Sequence, residues 1–285
     1  LKVLPKLTVP YFVYPHGMLD PWFKQAYPLK HLKKLLYWKL NEARLFQNAK
    51  TILFTCEEER LLAQNTFHPY DCRESVASLG IEVPTGSPDL QESAFLDHHP
   101  QLKRNEFLLF LSRIHEKKGL DLLLKAIARL EFPPPPLVIA GPVESPAYLE
   151  HLRKLETAIA ERHKNWRITW TGMLTGNLKW GALRSAGAFV LPSHQENFGI
   201  AVIEALAMGT PVLLSKKVNI WREIIHDGAG FAGPDTEAGT LAVLKDWLTL
   251  DVQAKIDMKK QAKQSFGKRF NIQSAVRHLT EVLAA

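Results

Sequence analysis

Glu196 and Glu204 are the residues of this chain whose type and spacing point most directly to chemistry. The stretch 189–212 around them reads as a buried strand, a polar turn, a short helix stopped by Gly209 and a new strand opened by Pro211. A carboxylate such as Glu204 inside an apolar helix is costly unless it is paired or meets a ligand. Eight residues of helix rise about 12 Å, the reach from a hexose ring across a diphosphate to a ribose, so the two groups suit hydroxyls at both ends of a nucleotide sugar. Between them, backbone amides around Asn197, Phe198, Gly199 and Ile200 form a helix N-terminus that favours phosphate or developing negative charge, and Gly199 lets a ligand approach the backbone. A plainer explanation stays open for Glu196. Ser193-His194-Gln195-Glu196 also fits a capping box, in which Glu196 only reaches back to the N-cap amide, although Glu204 is then unexplained.

The second group is Arg113 and Lys118, in a charged loop between a strand ending at Leu111 and a helix starting near Gly119. Ligands of open parallel sheets bind beyond the carboxyl ends of the strands, where these two lie. Arg can fork two phosphate oxygens and Lys adds a mobile point charge, which suits a diphosphate leaving group. Basic loop residues are also commonly just solvated. The third candidate is His16, directly after the first strand in Tyr14-Pro15-His16-Gly17-Met18-Leu19-Asp20-Pro21-Trp22. A neutral imidazole there could take or relay a proton, or it could be a loop histidine bound to backbone.

Taken together, these patterns resemble one family. E-x7-E followed by A-x-x-x-G-x-P-V, here ENFGIAVIEALAMGTPV, and R-x4-K-G, here Arg113 to Gly119, are similar to the signatures of the retaining glycosyltransferases of family four, whose fold is GT-B. The resemblance implies that Arg113 and Lys118 hold the donor diphosphate, Glu196 the sugar hydroxyls and Glu204 the ribose. The amides from Asn197 to Ile200 would support sugar and phosphate. HGML-x-PW resembles a subset of the family and implies that His16 faces the transferred sugar. The family often has Gly where this chain has Ser112, so the loop backbone is expected to differ slightly there.

The elements that must position these residues fall into two parts. Residues 1–105 carry strand signals at 11–14, 51–55 and, weakly, 81–83, with a long helical pattern over 29–48. A capping-box match, Thr55 to Glu58, opens a further helix that runs to about 65. That is about half of a doubly wound domain, and 84–105, polar and rich in Pro, Ser and Asp, reads as a linker in which His98 and His99 are solvated. From 106 to 285 the alternation is regular. Strands are expected at 107–111, 137–140, 167–171, 188–191, 211–214 and 230–232, with helices near 119–131, 146–163, 178–186, 198–208, 220–226 and 237–249. Continuous apolar strands between amphipathic helices predict an α/β domain with a parallel sheet covered on both faces. A terminal helix at about 270–285 would cross back to the first domain in GT-B. The expectation is thus two Rossmann-like domains, the first incomplete. Since the chain starts at Leu1, not Met, it is read as a fragment or a processed protein.

Composition sets limits. With 285 residues, 46% hydrophobic, the chain can bury one large core or two modest ones, and it has no apolar run long enough to span a membrane. The net charge of +7 suits anionic ligands or surfaces; no nucleic-acid motif accompanies it. Cys56 and Cys72 lack metal-site spacing and suit a reducing cytosol. No Asp-x-Asp pair appears, so no metal or cofactor is expected, and cationic side chains with a helix end take the role of a divalent ion. Gly228 to Gly233 matches G-x-G-x-x-G, but it follows a helix and enters a strand, the reverse of a dinucleotide site. Pro133 to Pro136 is a rigid connector.

Residues 21–40 place lysines among Trp, Leu and Tyr, a pattern that fits either an anionic bilayer surface or a solvated basic face. The expected protein is a cytoplasmic, metal-independent glycosyltransferase, able to sit at the inner face of the membrane. It would move a sugar from a UDP, GDP or ADP sugar to a glycan or lipid-linked acceptor. Two alternatives stand: a non-catalytic nucleotide-sugar-binding module, and a sugar-nucleotide epimerase of the same fold.

Overall fold

The computed structural model describes residues 9–22, 24, 27–164 and 166–285. It divides into two units, Leu1–Gly80 with Ile272–Ala285, and Ile81–Asn271.

In the first unit, β1 (Phe12–Val13), β2 (Thr51–Phe54) and β3 (Glu74–Val76) pair in parallel, in the order β1-β2-β3. The helix expected over 29–48 is two helices, α1 (Pro28–Tyr37) and α2 (Ala43–Gln47), joined by a π-helical turn, Trp38–Glu42. The turn buries Trp38 completely, stacked on Phe67 with ring centroids 5.0 Å apart, and its indole N–H donates to Pro69 O. Ile52, Phe54 and Leu19 complete this core.

Two expectations are corrected here. The third strand is β3 and not 81–83, because β3 is a half-exposed edge strand whose polar residues mask its signal; Ile81 instead forms a lone bridge with Asn271. The capping signal is shifted by one residue: α3 (Glu57–Ala63) has Cys56 at its N-cap, and Glu59 reaches back to the amide and hydroxyl of Thr55, at 2.8 and 2.6 Å.

The second unit is a six-stranded parallel sheet. Its strands are β4 (Leu108–Leu111), β5 (Leu137–Ala140), β6 (Ile168–Gly172), β7 (Ala188–Leu191), β8 (Val212–Ser215) and β9 (Gly230–Gly233), in the order β6-β5-β4-β7-β8-β9. The order reverses between β4 and β7, which pair Leu108 to Ala188 and Leu109 to Phe189. Such a switch point opens a crevice at the carboxyl ends of the strands. β5, β7 and β8 are buried throughout, as strands covered by helices on both faces must be. The covering helices include α5 (Leu120–Ala128), α6 (Pro146–Arg162), α7 (Gly176–Ser185), α8 (Ile200–Ala207), α9 (Trp221–His226) and α10 (Glu237–Leu248).

The expected linker contains α4 (Pro88–His98), whose Ser87-Pro88 start is an N-cap followed by Pro at N1. It packs on α7 so closely that a Cβ on Gly181 would lie 2.0 Å from Gln91 O. His99 is not merely solvated: its ring is tilted against Phe95 at 4.8 Å. A helix outside the expected set, α11 (Val252–Ser265), is capped by Asp251 and has few apolar residues to betray it. The last helix, α12 (Ile272–Ala284), belongs to the first unit, where its Ile272 lies against Gly80. The segment Gly228 to Gly233 is a helix stop after α9 followed by β9, with no helix opening inside it.

Candidate functional site

Three loops meet at the carboxyl end of the sheet. After β4 the chain passes Arg113, makes a 3-10 turn over Glu116–Lys118, and enters α5 through Gly119 in the left-handed conformation, φ 66°. A Cβ on Gly119 would sit 2.1 Å from Pro192 O, so only glycine lets this loop touch the loop after β7. The two are stitched together: the His194 amide and the Ser193 hydroxyl both donate to Lys117 O, at 2.9 and 3.0 Å. The result is that Lys118, almost wholly buried, hydrogen-bonds the carboxylate of Glu196 as an ion pair.

Glu196 is not a capping residue. Its amide donates to Lys217 O and its carbonyl accepts from the Asn219 amide, both at 2.9 Å, so it bridges to Val218 as a short strand would. The helix starts later than expected, at Ile200, with Gly199 as N-cap at φ 73°. Asn197 and Phe198 therefore lie ahead of the helix. Asn197 Oδ1 accepts from the Asn219 amide side chain at 3.4 Å, and Phe198 is buried edge-on against Phe270. The helix-end amides are those at Gly199, Ile200 and Ala201, which have no acceptor within the helix. For the same reason helical rise does not set the separation of the two glutamates, since only the segment from Ile200 to Glu204 is helical.

Glu204 is explained by a partner that spacing did not reveal. Lys179 of α7 reaches across to its carboxylate at 2.7 Å, with side-chain exposures of 23% and 13%. The Lys179 ammonium also lies over the Trp180 ring, 4.1 Å from its centroid. Glu204, Lys179 and Arg113 line one cavity of about 390 Å³, within the usual range of small-molecule sites. Pro142, Met173 and Leu174, from the ends of β5 and β6, give it an apolar wall. At its base, Gly141 approaches Ser112 O so closely that a Cβ would stand 1.8 Å from it. In sequence, Lys179 is only one polar position of an amphipathic helix, and nothing local marks it.

Arg113 is held at the cavity mouth by Glu144, at 2.8 and 3.0 Å. Both side chains are largely exposed, so this pair is worth at most about 1 kcal/mol and leaves the guanidinium free to exchange partners. Two further groups lie within three residues of Lys118 or Glu196 along the chain, His194 and Asp121. His194 Nδ1 lies 3.1 Å from Asp235 Oδ2. Asp121, in the first turn of α5, would be raised by burial, but hydrogen bonds from Lys125 and Tyr148 hold it below the usual carboxylate range. His16 lies in the first unit, at φ 48° and stacked on Tyr14 at 5.3 Å, while the amide of Gly17 donates to the buried Glu59. Among the described residues no cluster of His, Cys, Asp and Glu could hold a metal ion.

Residues 94–265 match the family model described as glycosyl transferases group 1. The chain is 29% identical over 218 residues to the D-inositol 3-phosphate glycosyltransferase of Pseudarthrobacter chlorophenolicus, covering 75% of this chain and 50% of that protein. It is 32% identical over 181 residues to the phosphatidyl-myo-inositol mannosyltransferase of Mycobacterium leprae, covering 61% and 45%. The chain thus spans about half the length of these relatives. The HepE protein of Anabaena, solved in complex with UDP and glucose, superposes with a TM-score of 0.76 at 17% identity, over 96% of this chain and 71% of that one. The fold is GT-B. With the family model matching well over half of its length, the chain belongs to the glycosyl transferases group 1.

Proposed function

We propose that the protein is a retaining, metal-independent glycosyltransferase of family four that moves a sugar from a nucleotide-diphosphate sugar to a glycan or lipid-linked acceptor. The observation that carries this reading is the pairing of each glutamate of E-x7-E with a lysine from a different strand end, Glu196 with Lys118 and Glu204 with Lys179, the second pair lining a cavity that also takes in Arg113. In this reading Glu204 holds the ribose hydroxyls, with the apolar wall at Met173 and Leu174 against the base. Arg113 leaves Glu144 for the diphosphate, and Lys118 lies between the diphosphate and Glu196, which binds sugar hydroxyls.

As the sugar–oxygen bond breaks, charge grows on the departing diphosphate. Arg113 swings from Glu144 to meet it, whereas Lys118 and the amides at Gly199 and Ile200 are held in place beforehand, which lowers the barrier with little reorganisation. The acceptor hydroxyl attacks from the same face and retains the configuration, with His16 facing sugar and acceptor. The relatives support the substrate class: HepE is solved with UDP and glucose, and the two relatives are named as a D-inositol 3-phosphate glycosyltransferase and a phosphatidyl-myo-inositol mannosyltransferase.

The acceptor side also motivates membrane contact through 21–40. Leu29, Leu32, Leu36 and Leu40 of α1 and the turn after it are 62–81% exposed, with Lys30, Lys33 and Lys39 beside them. An apolar stripe flanked by cations fits the anionic surface of a bilayer. No described helix is long and apolar enough to cross one.

The test is a titration of the chain with UDP, GDP and ADP, with and without EDTA, followed by transfer assays on the full-length protein. EDTA-insensitive binding of one nucleotide, and a turnover lowered about 10²–10³-fold by Arg113→Ala or Glu196→Ala, is the expected outcome. Unchanged kinetics would remove either residue from the site.

A further inference from the structure

The strands that frame the cleft open onto a second cavity at their other ends. The first lies past the carboxyl ends of β5 and β6, at Pro142 and Met173. The second, about 620 Å³, lies at their amino ends, bounded by Pro136 and Arg167. Strands of four and five residues separate the two by roughly 13–17 Å.

The walls of this cavity differ in chemistry from side to side. Arg162, Lys164 and Arg167 supply three cations, no Asp or Glu lines it, and none of the three forms an ion pair among the described residues. Arg162 donates one N–H to Ala128 O and Arg167 one to Trp166 O, so most of each guanidinium's five donors remain available. His163 contributes a buried Nε2 with no hydrogen-bond partner among the described residues. The apolar side is Trp166, anchored by its indole N–H on Pro135 O at 2.9 Å, with Pro133 and Pro134. At the rim, Gln101 and Thr169 share only a long contact of 3.4 Å and can turn to a ligand's hydroxyls.

An acid-free cluster of cations selects a negative group, an aromatic and proline wall takes the C–H face of a ring, and amide and hydroxyl groups take its oxygens. We infer that this cavity is a binding site for an anionic carbohydrate of one or two rings carrying a phosphate or a carboxylate. It is separate from the nucleotide cleft and does not depend on the function proposed for that cleft.

The experiment is a calorimetric titration of the chain with glucose 6-phosphate, glucuronate, glucose and inorganic phosphate, each with and without excess UDP. It is repeated on the Lys164→Gln/Arg167→Gln double variant, whose altered side chains are exposed, and on Glu204→Ala. Saturable binding of glucose 6-phosphate or glucuronate is expected, at least tenfold tighter than glucose or phosphate. It should be unaffected by UDP and by Glu204→Ala, weakened by salt, and weakened at least tenfold in the double variant. Binding of the phosphorylated sugar alone points to a free sugar phosphate as the natural ligand, and binding of the uronate to an acidic glycan. The inference is overturned if no acidic sugar saturates, if glucose or phosphate binds as well as the acidic sugars, if the double variant binds normally, or if UDP or Glu204→Ala abolishes binding.

Discussion

Replacing Glu204 by Gln tests the core of the cleft with the least change in shape. The carboxylate is 13% exposed and its side-chain partner among the described residues is Lys179 at 2.7 Å. Gln keeps the volume and an oxygen for Lys179 but loses the charge. A ribose hydroxyl donating to a carboxylate is worth about 1.5–3 kcal/mol, and the neutral amide recovers about 0.5–1.5 of that. The net loss of about 1–2 kcal/mol is roughly a 5- to 30-fold rise in Kd for the preferred nucleoside diphosphate. Glu204→Ala, with nothing left to bind ribose, should cost the full 10- to 150-fold. Both variants leave the Lys179 ammonium without its counter-charge, but that ammonium is 23% exposed and keeps the Trp180 face. Destabilisation should therefore stay near 1 kcal/mol, a fall in Tm of about 2–4 °C for a unit of this size. Calorimetric titration with UDP, GDP and ADP measures the first effect and a thermal melt the second. Equal Kd values for wild type, Gln and Ala, with normal melts, would show that Glu204 serves only Lys179 and would refute the ribose assignment.

Other consequences are open to direct measurement. Gly119→Ala should destabilise the second unit by at least 1–3 kcal/mol, from its φ of 66° alone, with a further cost from the 2.1 Å approach to Pro192 O, and should lower nucleotide affinity by loosening Lys118; a normal melt would show that the two loops can part. Asp227 would be raised by burial, yet hydrogen bonds from Arg269 and Ser265 hold it below the usual carboxylate range. Its stabilisation is thus complete above the ordinary carboxylate pKa and is lost as pH falls through the lower folded value, so Asp227→Asn should cost about 1.5–3 kcal/mol at neutral pH and flatten acid unfolding in that window. Substituting Leu29, Leu32 and Leu36 by Ser should leave the melt unchanged, since all three are exposed, and reduce binding to anionic vesicles by roughly 10²-fold or more; retained binding would assign membrane contact elsewhere or deny it.

Most of the second unit could be read from sequence because its central strands are buried on both faces. Leu137 to Ala140 and Ala188 to Leu191 are continuous apolar runs, and the helices between them start at Ser145-Pro146 and Thr175-Gly176, so local pattern and tertiary role agree. Where burial is one-sided the pattern fails. The polar edge strand Glu74–Val76 and the helices Pro88–His98 and Val252–Ser265 bury too few apolar residues to impose a period, and their starts lie in Pro-, Ser- and Asp-rich segments that also suit loops.

The candidate site divides along the same line. Residue types and intervals within one segment single out Glu196, Glu204, Arg113 and Lys118, since a carboxylate in an apolar helix and cations after a strand are local anomalies. What each is bonded to is not local. Lys179 meets Glu204 only because β6 and β7 are brought into one sheet, and Lys118 meets Glu196 only because Gly119 lets two loops touch at Pro192 O. A chain sequence records which charges exist; the strand order β6-β5-β4-β7-β8-β9 decides which of them face each other, because ion pairs depend on distance in space and the sequence fixes distance only along the chain.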